Sequence, residues 1–106
     1  MVDVNIIETD PEQMIAKDGY RNIRQFDIQA YYNNHVVASL WQDEKEDWHW
    51  TKRLYDSENT EDMDIAELNN KTINGVIGEF VERVIAWLGD EAAYLLDIKN
   101  SLDKME

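Results

Sequence analysis

The chain has 106 residues, with 10 Lys and Arg against 23 Asp and Glu and a formal net charge of −13. That balance disfavours direct binding to nucleic acid, since phosphate contacts need a cationic surface. The lack of cysteine rules out a disulfide framework or a thiolate metal site.

A content of 43% apolar and 10% aromatic residues is that of a folded chain. The length suits a single domain over 1–106, with an N-terminal helix region at 1–20, an antiparallel sheet at 22–55 and a helical part at 60–106. No apolar run approaches the roughly 18 to 20 residues of a membrane span. The first ten residues have no basic stretch ahead of an apolar one. A soluble, cytoplasmic protein is the expectation.

Val2, Val4, Ile6 and Ile7 open the chain as either a short edge strand or a frayed start. Thr9-Asp10-Pro11-Glu12 then matches a helix start, with a capping side chain ahead of a proline in the first turn. A short helix through Lys17 is predicted, carrying Met14 and Ile15 and ended by Asp18-Gly19.

From residue 22 to 55 the pattern changes to strand spacing. Phe26, Ile28, Ala30 and Tyr32 alternate with Gln25, Asp27, Gln29 and Tyr31, as in a strand with one buried face. Asn33-Asn34 marks a reversal into a second run, His35 to Gln42. A two-residue turn at Asn33-Asn34 would set Val37, Ser39 and Trp41 beside Phe26, Ile28 and Ala30, whereas a three-residue loop from Tyr32 to Asn34 sets Val36, Ala38 and Leu40 there and gives the cleaner apolar face. After a solvated acidic turn, Asp43 to Asp47, a third run from Trp48 to Tyr55 sets Trp48, Trp50 and Leu54 against His49, Thr51 and Arg53.

The polar stretch Asp56 to Asp64 leads to a short helix expected around Asp62 to Asn69, with Ile65 and Leu68 inward. Thr72 caps the longest helical signal. Ile77, Val81, Val84, Leu88, Leu95, Ile98, Leu102 and Met105 form one 3,4-spaced stripe, interrupted at Glu91. Gly89-Asp90 reads as a helix end followed by a fresh cap, so two helices are predicted, with one long helix as the alternative. The expected fold class is α+β: a three-stranded antiparallel meander covered on one face by C-terminal helices, with a short N-terminal helix.

No catalytic, metal or nucleotide signature stands out. His35 beside a turn and His49 on a solvated strand face lack companions at metal-ligand spacing. The run from Asp56 to Glu67 fails as a calcium loop, with Glu61 at the sixth position where glycine is needed for the sharp turn. Gly75 and Gly78 do not make a phosphate loop. Trp41, Trp48 and Trp50 fit core packing for two of the three, with one left as a partner anchor. No cofactor, metal or catalytic residue is expected.

The acidity is therefore the functional lead. It is uneven: residues 1–55 carry six basic and ten acidic side chains, residues 56–106 four and thirteen. This order of elements with this acidity resembles that of some small phage-encoded anti-CRISPR proteins that occupy the nucleic-acid channel of a nuclease. The resemblance is one of organisation and charge, and assigns no functional residue. It implies a non-enzymatic inhibitor that mimics nucleic acid and binds a basic nuclease or defence effector. The expected contact residues are Asp43, Glu44, Glu46, Asp47, Asp56, Glu58, Glu61, Asp62 and Asp64. The alternatives are an immunity protein for a toxin nuclease, or an assembly subunit that dimerises through Leu95, Ile98 and Leu102.

Overall fold

The computed structural model describes residues 3–30, 35–54, 59–63 and 72–105. The chain divides into two compact units, residues 1–72 and Ile73–Glu106. The first is a sheet of five strands in sequence order: β1 (Val4–Thr9), β2 (Asn22–Ala30), β3 (His35–Asp43), β4 (Trp48–Lys52) and β5 (Asn59–Asp62). Every neighbouring pair is antiparallel. The second unit is one helix, α1 (Ile73–Asp103).

The α+β class stands, but the three-stranded sheet and the N-terminal helix do not. The predicted meander is the centre of the sheet, β2 to β4, and an edge strand joins it on each side. β1 pairs along its whole length with β2, from Val4 opposite Ala30 to Thr9 opposite Gln25. β5 pairs Asn59 to Asp62 with Lys52 to His49 where a loop and the start of a helix were predicted. Residues 64–69 of that predicted helix lie outside the described residues. The predicted hairpin register holds at Phe26 opposite Leu40 and Ile28 opposite Ala38, after which a bulge shifts Gln29 to Val36 and Ala30 to His35.

Cross-strand partners share a face, so the register sorts the side chains. One face carries the apolar set, with Phe26, Ile28, Ala38, Leu40 and Trp50 all buried. The other was expected to be solvated, yet Gln25, Asp27, Ser39, Trp41, His49 and Thr51 are buried there as well.

The segment before β2 closes this polar face. The Glu12 N–H donates to Gln25 Oε1 at 2.9 Å and the Met14 N–H to Asn22 Oδ1 at 3.3 Å. Asn22 returns its own N–H to the Met14 carbonyl at 3.1 Å and bonds Gln25 through its side-chain amide. The predicted helix would be only about seven residues long with two apolar side chains, too little to offset helix nucleation. Buried Asn22 and Gln25 instead take up the backbone N–H groups that a helical turn would have used. Gly19, at φ 90, turns the chain back toward β2, with its N–H on the Ala16 carbonyl.

Arg53 ties the segment down with two bonds to Glu12, Nη1 to Oε1 at 3.0 Å and Nη2 to Oε2 at 2.9 Å. The Arg53 hydrogen bond holds the Glu12 carboxyl below its ordinary value of 4.5. A carboxyl depressed in the folded state stabilises it above that ordinary value and loses the contribution as acid protonates the folded form. Thermal unfolding of Arg53→Met, followed from pH 7 to pH 3, should show a smaller fall below about pH 4.5 than the parent shows. Parallel curves would remove this pair from the acid limb.

α1 runs unbroken through Gly89 and Asp90 for 31 residues, so one helix replaces the predicted two. Thr72 stands at its N-cap position. Its buried residues are Val76, Phe80 and Val84; Val84 lies on the predicted stripe, while Ile77 and Val81 of that stripe are only half-buried. Among its described residues from 92 onward, all are exposed.

Candidate functional site

The β3–β4 turn is where the sequence places its densest acids, and there the structure makes a cavity of about 210 Å³. Asp43 organises it. Its Oδ1 accepts the N–H groups of Lys45 at 2.8 Å and Asp47 at 3.0 Å. The backbone adds Glu46 N–H to the Asp43 carbonyl and Asp43 N–H to the Asp47 carbonyl, both at 2.9 Å. This network holds Glu46 at φ 72, a left-handed conformation that costs a side chain without a short polar group.

The other Asp43 oxygen faces His49 Nε2 at 2.8 Å, and His49 Nδ1 faces Asp62 Oδ1 at 2.6 Å. The imidazole thus bridges β3 and β5 from β4. Its ring stacks on Trp41, with centroids 4.4 Å apart and planes 26° from parallel. Trp41 is fixed in turn by Nε1 donating to Thr51 Oγ1 at 3.0 Å, and Thr51 bonds Thr60 at 2.8 Å. The two carboxylates differ sharply: the Asp43 side chain is 1% exposed and that of Asp62 is 70% exposed.

Asp18, Asp43, Asp47 and Asp62 all line the cavity, with His49, Trp48 and Lys17 among its walls. Lys45 lies at the same turn but is engaged, its Nζ 2.8 Å from Asp18 and 4.4 Å from the centre of the Tyr20 ring. That hydrogen bond holds the Asp18 carboxyl below its ordinary range and the Lys45 ammonium above its own. Among the described residues, no group of three or more His, Asp or Glu is placed to share a metal ion.

No protein family, curated protein or solved structure matches this chain. The chemistry has to be read from the site alone. A histidine that moves protons needs one nitrogen directed at its substrate while the other is oriented by a partner. Both nitrogens of His49 are taken, and the ring is buried. The Asp43–His49–Asp62 array is built as a clamp across three strands.

The expected contact residues fall into three groups. Glu44, Glu46, Asp47 and Asp62 sit around the turn and cavity, with Glu44 also accepting the Arg21 N–H at 2.9 Å. Asp43 is at the same place but buried, so it shapes the surface instead of meeting a partner. Glu61 belongs with Trp50 on the opposite sheet face from Asp62, and Lys52 holds it at 2.8 Å. Asp56, Glu58 and Asp64 lie outside the described residues. Sequence reasoning missed Asp18, read as a helix end, and the bridging role of His49.

Proposed function

We propose that this chain is a small, non-enzymatic acidic protein that binds a cationic, nucleic-acid-handling protein and blocks its groove by presenting carboxylates in place of phosphates. The order of elements behind the likeness to anti-CRISPR proteins is not the order found, so the reading rests on charge. The observation that carries it is the convergence of Asp18, Asp47 and Asp62 on one cavity beside Glu44 and Glu46.

Several acids are neutralised by neighbours, Asp18 by Lys45 among them. Glu8 pairs with Arg24, Glu12 with Arg53 and Glu61 with Lys52. Residues 1–72 hold sixteen acidic and seven basic side chains, against seven and three in 73–106, so the sheet unit carries most of the imbalance. A sheet end bearing several exposed carboxylates steers toward a basic groove and contributes chiefly to on-rate and specificity. The intended setting is the cytoplasm, where such effectors meet nucleic acid.

The test is capture of the partner on the immobilised chain, followed by challenge. Bound partner should be released by added DNA or RNA, and affinity should fall steeply between about 50 and 200 mM salt. Reversing Glu44, Glu46 and Asp47 to Lys should abolish capture while leaving the folded signal intact. Affinity that is indifferent to salt, or unchanged by the triple reversal, overturns the proposal.

A further inference from the structure

Beyond Glu91 the exposed side of α1 remains strongly apolar. Tyr94, Leu95, Leu96, Ile98, Leu102 and Met105 are each 40–81% exposed. Single exposed apolar residues need no explanation, but a contiguous set does. Leu95, Ile98, Leu102 and Met105 are spaced 3, 4 and 3, the seam of a two-stranded coiled coil and narrower than the face a helix lays on a sheet.

We propose that this segment is a homodimer interface in which α1 packs antiparallel against α1 of a second copy. Leu95 of each copy then meets Met105 of the other, and Ile98 meets Leu102. Four apolar layers result, and the arrangement is two-fold symmetric, so one patch serves both sides and the assembly closes at two.

Three features favour a second copy in this orientation. The seam residues and Tyr94 are 40–81% exposed, and covering them on both copies approaches the roughly 1,000 Å² that a small specific interface needs. Glu91 occupies the next seam position. In a parallel pair it would face its own copy, a like-charge contact in the seam, whereas the antiparallel register leaves it outside the four layers. The helix dipoles also oppose one another only in the antiparallel pair. Lys99 and Asp103, 2.9 Å apart on the same helix, neutralise each other on the flank. This surface is independent of the acidic turn, so the two proposals fail separately.

The experiment is sedimentation of the full chain from about 1 to 100 μM. A monomer–dimer equilibrium is expected, with more than tenfold weaker association in Leu102→Asp and an unchanged circular dichroism spectrum, since Leu102 is 58% exposed. A monomer throughout would assign the face to a different occupant and overturn the proposal. So would a dimer untouched by Leu102→Asp. Orientation is read by oxidising a mixture of Leu95→Cys and Met105→Cys chains, which carry no other cysteine. Crosslinks between the two variants support the antiparallel pair, and crosslinks of each variant to itself overturn it.

Discussion

Asp43→Ala is expected to lose about 3–5 kcal/mol of folding stability, the sum of several hydrogen bonds made by one buried side chain. The carboxylate serves the N–H groups of Lys45 and Asp47 and the Nε2 of His49, and it is 1% exposed. Alanine removes the acceptor these groups share, and each buried donor left unsatisfied costs on the order of 1–3 kcal/mol. Glu46 would also lose the bonds that hold its left-handed backbone. Against a total stability of about 5–15 kcal/mol for a small domain, such a loss leaves a large unfolded fraction. Urea denaturation measures it, with Glu44→Ala at the exposed neighbouring position as the control, expected within about 0.5 kcal/mol of the parent. A change of under about 1 kcal/mol in Asp43→Ala would show that the clamp does not hold the turn.

The centre of the sheet was legible because its apolar residues alternate. Phe26, Ile28, Ala38, Leu40 and Trp50 announce both the strands and their register, since a slip by one residue would turn them all outward. Of the edges, β1 was one of two readings of the first residues, and β5 was not legible. β5 is Asn-Thr-Glu-Asp, with all four residues exposed, and only backbone pairing with β4 makes it a strand. Hydropathy carries no record of such pairing. In the N-terminal segment Pro11 and its flanking acids form a genuine helix-start pattern. It was overridden by Gln25 and Asn22, polar side chains whose burial the strand alternation had assigned to water.

The candidate site shows the same division. Acid density marked the turn, yet nothing in Asp-Glu-Lys-Glu-Asp separates the buried first carboxylate from the exposed ones after it. That difference arises from His49, whose partners stand six and thirteen residues away on separate strands. Pairing of His49 with Asp62 follows only once β5 is placed opposite β4. Asp18 reaches the cavity because Gly19 turns the chain back toward β2, a conformation that a helix-ending glycine also suggests. In α1 the heptad stripe was legible from spacing. Of the three buried residues of α1, Val84 lay on that stripe and Phe80 widened it, whereas Val76 was not distinguished from the apolar residues around it.

Trp41→Ala is expected to cost about 3–5 kcal/mol, as large aromatic truncations in cores do. The indole is fully buried, so alanine opens a cavity that strands on either side, fixed by their ladders, cannot collapse to fill. Trp41→Phe separates the contributions. A phenyl ring can keep the stack on His49, while the bond from Nε1 to Thr51 is lost. Thr51 retains Thr60 as a partner, so the expected loss is nearer 1 kcal/mol plus the smaller volume. If stacking locates the imidazole, the phenylalanine variant should preserve the cavity carboxylates and capture of a cationic partner at near-parental affinity. The alanine variant should lose capture even under conditions where it remains folded, because Asp62 is then no longer tied through His49 to Asp43. Equal capture by both variants at equal folded fraction would separate partner binding from the clamp. It would leave the exposed carboxylates of the turn as the sole determinant.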